Sequence, residues 1–418
     1  MRNWKTNLYI LWVAQVVSLM GFGLGIPFIP YYIQELGVTD PDRLNVMTAI
    51  LSAAPSLTMG LMAPVWGYFA DKWGKKPMLL RAMFGGFIII TLMGTVSNVN
   101  QLILLRILQG VFTGTVAAAA TLVASTTPKR HLSYALGVIS SSTFIGNSAG
   151  PALGGFIAES VGYRVSFYIG GALLLLDFLM VMVFVREDKD PSIDADISLI
   201  DENTLDVDDN NGRIGSNWRV IFTPLIIVMF VVLFCLRVSR TVFNPYLPLY
   251  VQQLRGQIEG SSKITGLINS LIALATALSG LILSRLGDRY NKLNIIRVLL
   301  LCGIALSTPL FFTNTLVQMT TLLVIMFFAV GGIEPIVMSI TSERTPSNKR
   351  GVLFGFQTLV GSIGWAIAPM LASYISINSS LKSTMILIPV FLGIGLLSTF
   401  ILLIRKRNDI GTINELDA

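Results

Sequence analysis

The apolar residues of this 418-residue chain fall into twelve runs, each about as long as a bilayer is thick. A membrane-crossing helix needs roughly 20 apolar residues, because the hydrocarbon core is about 30 Å deep and each helical residue rises about 1.5 Å. The runs lie near 7–33, 44–69, 77–98, 100–125, 132–158, 163–185, 219–250, 262–286, 294–314, 317–341, 350–376 and 382–404. Charged residues make up only 13% of the chain and hydrophobic residues 53%, whereas a soluble protein is about a quarter charged. The expected fold is therefore an all-α membrane protein with twelve transmembrane helices.

Those twelve helices read as two copies of six. Pro27 and Pro30 return as Pro245 and Pro248, and 245 − 27 and 248 − 30 both give 218. The same offset relates Pro128 to Pro346, Gly146 to Gly364 and Pro151 to Pro369. This predicts two pseudo-symmetric six-helix bundles, 1–186 and 219–405, joined by a segment at 187–218 and followed by a tail at 406–418. Like halves that rock about a central site are a recurring way to move a solute across a bilayer. A transporter is the first reading.

Most of the 30 basic residues fall in the terminal segments and the loops on their side, among them Lys72, Lys75, Lys76, Lys129, Arg130 and Lys349. Arg43, Arg164, Arg255, Lys263 and Lys382 lie opposite. Basic residues are retained on the cytoplasmic side, so both termini are expected there. The net charge of +7 then reports topology, and no nucleic-acid partner is implied. The first apolar run is too long for a secretory signal core and should stay as helix one. The stretch 187–218 holds ten of the 23 acidic residues and reads as a solvated tether between halves. Cys235 and Cys302 have no disulfide or metal-ligand spacing.

Three motifs carry a resemblance. After the second run comes Gly67-Tyr68-Phe69-Ala70-Asp71-Lys72-Trp73-Gly74-Lys75-Lys76, echoed by Ser284-Arg285-Leu286-Gly287-Asp288-Arg289-Tyr290-Asn291-Lys292 without the two motif glycines. The fourth run has Leu105-Arg106-Ile107-Leu108-Gln109-Gly110, and the fifth Gly146-Asn147-Ser148-Ala149-Gly150-Pro151-Ala152-Leu153-Gly154-Gly155. Together they resemble the twelve-helix drug:proton antiporters of the major facilitator superfamily. The opening Asn3-Trp4-Lys5-Thr6-Asn7-Leu8 with Pro27 and Pro30 resembles the MdtG-type multidrug exporters among them.

The resemblance implies a cavity lined mainly by helices one, four, seven and ten, opening inward and outward in turn. It also implies a gating loop in which Gly67, Asp71, Gly74 and Lys75, with Asp288 and Arg289 in the echo, hold one side shut. The plainer alternative is a solvated turn that keeps positive charge inside. Arg106 corresponds to an arginine associated with proton coupling, the alternative being an arginine that snorkels or only pairs structurally. Gly146, Gly150, Pro151, Gly154 and Gly155 are expected to let helices approach closely at a gate, Pro151 loosening the backbone there. Plain tight packing is the alternative.

Outside the acidic stretch, only Asp177 and Glu334 lie well inside apolar runs. Intramembrane carboxylates are expensive and mark functional sites by default. Asp177 belongs to helix six, expected at the periphery, where a structural hydrogen bond is the competing role. Glu334 lies on helix ten beside Gly331, Gly332 and Pro335, and helix seven carries Arg237 and Arg240 three residues apart, hence on one face. A charge network of Arg237, Arg240 and Glu334 is inferred, functional or statically paired. Proton coupling is assigned to Glu334, Arg106, Asp71 and Asp177. Cargo contact is assigned to Arg237, Arg240, Asn244 and Glu334, with Gln15, Phe22, Gln109, Phe112, Gln357 and Trp365 as further lining.

Enzyme chemistry is unsupported. His131 is the sole histidine, and there is neither a phosphate-binding loop nor a metal-ligand cluster, so no cofactor is expected. The expected partners are the lipid bilayer, a small amphipathic substrate and protons, with the chain a monomer in a bacterial cell membrane. Proton-coupled export leads; uptake or facilitated passage of one metabolite, lipid translocation, and a non-transporting receptor or scaffold stay open.

Overall fold

The computed structural model describes residues 4–187, 223–346 and 350–416. The acidic stretch beyond Glu187 lies outside the described residues, as do the side chains of Asp71 and Asp288. Among the described residues there is no strand. In the first half the helical spans are α1 (Trp4–Glu35), α2 (Pro41–Trp73), α3 (Lys75–Met93), α4 (Val99–Thr126), α5 (Leu132–Val161) and α6 (Tyr163–Phe184). The second half has α7 (Pro224–Arg255), α8 (Ser261–Ile282), α9 (Lys292–Phe312), α10 (Leu316–Glu343), α11 (Arg350–Asn378) and α12 (Leu387–Leu416). This is a multi-pass membrane protein. Eleven of these spans are long and apolar enough, by length and composition, to cross a membrane. The exception is α5, whose apolarity is diluted by the serines, asparagine and glycines at which other helices press against it.

The duplication extends to the breaks in the helices. α1 tightens into a 3₁₀ turn at Ile26–Phe28 and α7 into another at Asn244–Tyr246, and 244 − 26 is again 218. Pro27 and Pro245 have no N–H to give the preceding turn, so the regular ladder fails at both places. α4 is interrupted at Gly114, with φ +130, and α10 at Gly332, and 332 − 114 is also 218. The last break makes Ile333–Glu343 a separate helical piece with Glu334 in its first turn.

The halves meet along two seams, α5 against α8 and α2 against α11, which the 218-residue shift exchanges. Hydrogen bonds between halves gather at the end of the bundle away from the chain termini, called the far end. There Tyr31 donates to the Pro248 carbonyl at 2.6 Å, Gln34 and Gln252 exchange amide bonds at 2.9 and 3.1 Å, and Asn45 donates to Ser376 at 3.0 Å. A single apolar cluster spans both halves at this end, joining Tyr32, Ile33 and Met93 to Tyr246, Tyr250 and Val251. At the terminal end the clusters belong to one half each: Leu8, Leu79 and Leu122 in one, Ile226, Phe230 and Leu353 in another. On all four seam helices near that end, a Cβ added at Gly67, Gly137, Gly280 or Gly355 would meet nothing within 4 Å. The molecule is closed at the far end and parted at the terminal end.

Candidate functional site

Arg237 and Arg240 stand one turn apart on α7 and converge on Glu334 of α10. Arg237 Nη2 donates to Glu334 Oε1, and Arg240 Nη1 donates to Oε2 at 3.3 Å. The break at Gly332 makes this geometry possible, because it points the N-terminal end of a helical piece, where a carboxylate is favoured, toward the arginines. Each guanidinium also has a ring beside it. Arg237 lies 4.2 Å from the Trp365 centroid on α11, and Arg240 lies 5.9 Å from Phe327, two turns before Glu334 on α10. Such stacking suits a weakly hydrated, planar cation inside a membrane. Gly361 and Gly364 of α11 leave room for the Arg237 side chain: a Cβ at Gly364 would sit 3.1 Å from the Arg237 Cβ.

The three charged side chains remain 19%, 20% and 18% exposed, so the network is not sealed. Arg240, Phe243, Asn244, Leu247, Leu323 and Phe327 line a small cavity at the α7 break. One carboxylate faces two guanidiniums, so the cluster keeps a net positive charge.

The other expected lining residues divide. Trp365 and Asn244 join the cluster. Gln357 is buried, donating to Thr341 at 2.7 Å, and Gln15 is buried, donating to Thr115 at 3.4 Å; each leaves its amide oxygen unpaired. Phe22 and Phe112 turn toward α3, where Cβ atoms at Gly86 and Gly85 would meet their rings at 3.0 and 3.2 Å. They pack inside the first half. Phe327 escaped the sequence reading, although its position seven residues before Glu334 puts it on the same helical face.

Arg106 is buried in the first half. Its Nε donates to the Leu51 carbonyl at 2.7 Å and its Nη1 to Gln109 at 2.6 Å. The sequence held the signal: Pro55, four residues after Leu51 and inside α2, has no N–H for that carbonyl. Asp177 is fully buried on α6 beside the Ser18 hydroxyl of α1, and among the described residues its oxygens have no partner in good hydrogen-bond geometry.

The motif loop is tied down by Glu187, the first residue of the acidic stretch and the only one of it among the described residues. Its carboxylate accepts from the N–H groups of Lys75 and Lys76, both at 2.9 Å, capping α3. Gly74 is needed there, with φ +101 and a Cβ position 2.9 Å from Glu187 Oε2. Arg289 in the echo loop is exposed.

The glycine string of α5 has two working faces. Gly146, Gly150 and Gly154 press on α1, where added Cβ atoms would meet Leu19, Gly23 and the Leu24 backbone at 2.6, 3.0 and 2.4 Å. Pro151 and Gly155 face α8 across the seam. A Cβ at Gly266 would lie 2.3 Å from the Pro151 carbonyl, and one at Gly155 lies 2.6 Å from that of Ser262.

Helix breaks repeated in two duplicated bundles, with a charged cluster between α7, α10 and α11, are the architecture of a membrane transporter. The chain matches the Major Facilitator Superfamily over residues 11–369 and again over 229–417, and it belongs to that family. It is 31% identical over 413 residues to the Multi-drug resistance efflux pump PmrA homolog of Lactococcus lactis, covering 97% of this chain and 98% of the relative. It is 29% identical to the Multidrug resistance protein MdtG of Klebsiella pneumoniae, covering 91% and 89%. Among solved structures, a bacterial homolog of the human lysosomal transporter Spinster, inward-facing and unoccupied, superposes with a TM-score of 0.76. The identity is 14%, covering 96% of this chain and 97% of that one. The human organic anion transporter MFSD10 superposes with a TM-score of 0.66 at 18% identity, covering 96% and 100%.

Proposed function

We propose that this chain exports amphipathic small molecules from the cytoplasm in exchange for protons, with Glu334 as the proton carrier. The observation that carries the reading is the shared carboxylate: Glu334 bridges two arginines on another helix and is still partly exposed. The names of the efflux relatives support the drug-export class. The termini, on this reading, are cytoplasmic, and the parted end is the cargo entrance.

Ionised Glu334 ties α10 to α7. A proton arriving on Glu334 removes one charge from the pair and frees both guanidiniums, which weakens the tie and favours rearrangement of the second half. The same guanidiniums, released, are the groups that would meet cargo. Returning to the paired state expels the proton. Alternating access then needs only that the two seams open in turn, as repeat-built transporters do.

The test is accumulation of a fluorescent amphipathic dye in everted vesicles under an imposed pH gradient. Glu334→Gln is expected to abolish gradient-driven accumulation while leaving dye binding measurable. Gradient-driven accumulation at the parental rate in that variant would eliminate Glu334 as carrier and turn attention to Asp177 or Asp71.

A further inference from the structure

We infer that Glu159 is a positioning residue of the far-end gate: its carboxylate in the first half caps the start of α8 in the second and holds the two halves shut. This rests on the alternating-access reading proposed above.

Glu159 lies on α5 one turn beyond Gly155, on the face already pressed against α8. Its Oε1 accepts the backbone N–H of Gly260, the residue that caps α8. The first N–H groups of a helix have no intrahelical acceptor and carry the positive end of its dipole, so an anion is the matching partner. Gly260 is required at that turn. Its φ is +75, and a Cβ there would lie 2.5 Å from an Arg255 guanidinium nitrogen. Arg255 thus adds positive charge beside the bond.

Neighbouring contacts assemble around it. The hydroxyls of Tyr163 on α6 and Ser262 on α8 are 2.9 Å apart, and the Lys263 ammonium lies 4.5 Å from the Phe156 ring. The other inter-half hydrogen bonds at this end pair neutral groups: Tyr31 with Pro248, Gln34 with Gln252, Asn45 with Ser376. Among the described residues at this end, only the Glu159 bond joins a carboxylate of one half to a helix end of the other, and charge-assisted bonds are roughly twice as strong as neutral ones. The 218-residue shift places Ile377 opposite Glu159 in the repeat, because 159 + 218 is 377, so this device belongs to one seam alone. Opening the far end must break it, and water entering the opening would hydrate the released carboxylate.

The gate can be read without any cargo. Val161 and Ile258 are exposed on the two sides of this seam. Spin labels at Val161→Cys and Ile258→Cys, in a Cys235→Ala, Cys302→Ser background reconstituted in lipid, report the far-end distance. Glu159→Ala should raise the ratio of far-open to far-closed populations roughly fivefold, the usual effect of losing a capping acceptor. Glu159→Gln keeps an acceptor oxygen and loses the charge, so about a twofold rise is expected. Distance distributions matching the parent in Glu159→Ala would overturn the inference. If that variant does not fold, an unshifted ratio in Glu159→Gln overturns it instead. Dye flux is measured on the same vesicles. A shifted ratio with no flux in the labelled parent keeps the latch and removes the transport reading; flux with an unshifted ratio does the reverse.

Discussion

Arg106 shows how one backbone defect can decide what a buried charge does. A guanidinium inside a membrane costs about 2.5–3.5 kcal/mol on insertion scales unless its N–H groups find acceptors. Pro55 supplies such an acceptor indirectly, by leaving the Leu51 carbonyl without its helical donor, and Arg106 takes it at 2.7 Å. This pairing gives Arg106 a structural role, whatever part it takes in the proton coupling that its motif implies. Arg106→Met should destabilise the protein by about 1–3 kcal/mol, since Leu51 would be left buried and unpaired. Pro55→Ala restores an N–H to that carbonyl, so adding it to Arg106→Met should recover about 1 kcal/mol. Thermal unfolding of the two single variants and the double variant measures the coupling. A double variant no more stable than Arg106→Met alone would sink the capping account. Residue types in the sequence were enough to bring Arg237, Arg240 and Glu334 together. They were not enough to place Trp365 under Arg237, because that contact depends on how α11 crosses α7, which no spacing within either helix encodes.

At the scale of the element, α5 presents two packing faces in one string of small residues. Gly154 faces α1 within its own half, whereas Gly155, the next residue, faces α8 in the other half. Their leucine variants should therefore fail differently. Gly154→Leu would drive a side chain into the Leu24 backbone, a contact fixed by the fold of the half, and should lower stability by about 1–3 kcal/mol or more. Gly155→Leu would strike the Ser262 carbonyl, which can move away when the seam opens. That variant should fold with near-parental thermal stability and hold the far end open, as read by the labels at positions 161 and 258. Equal loss of stability in both would refute the two-face assignment. Gly150 belongs with Gly154, since its Cβ would meet Gly23 and Met20 of α1. The string was legible in the sequence, and its likeness to a gate motif rests on the family resemblance. Which glycine serves which neighbour was not, because helical periodicity fixes the face of a residue and not the helix that covers it.

Across the whole molecule, the two halves share their mechanics but not their chemistry. The breaks at Ile26–Phe28 and Asn244–Tyr246, and at Gly114 and Gly332, repeat at 218 residues, so the places where each half can bend are duplicated. The charges are not. Shifting Arg237, Arg240 and Glu334 back by 218 gives Leu19, Phe22 and Val116, all apolar. The repeated prolines made the duplication readable in the sequence, while the helix break beside Glu334 became apparent only with the backbone. The central cluster is therefore one-sided and positive: two guanidiniums against one carboxylate leave a surplus of one charge when Glu334 is ionised and of two when it is protonated. On the proposed reading, cargo would meet positive charge in either state. On that reading a permanent cation would be repelled in both, and an anionic or zwitterionic amphipath would replace Glu334 as the partner of a released arginine. Flux of size-matched cationic, neutral and anionic dyes should then rank anionic or zwitterionic above neutral and neutral above cationic. Arg240→Ala should reduce anionic flux about tenfold, the loss of one charged hydrogen bond, and leave neutral flux within about twofold. Strong preference for the permanent cation in the parent protein, unchanged in Arg240→Ala, would overturn the assignment of this cluster to cargo.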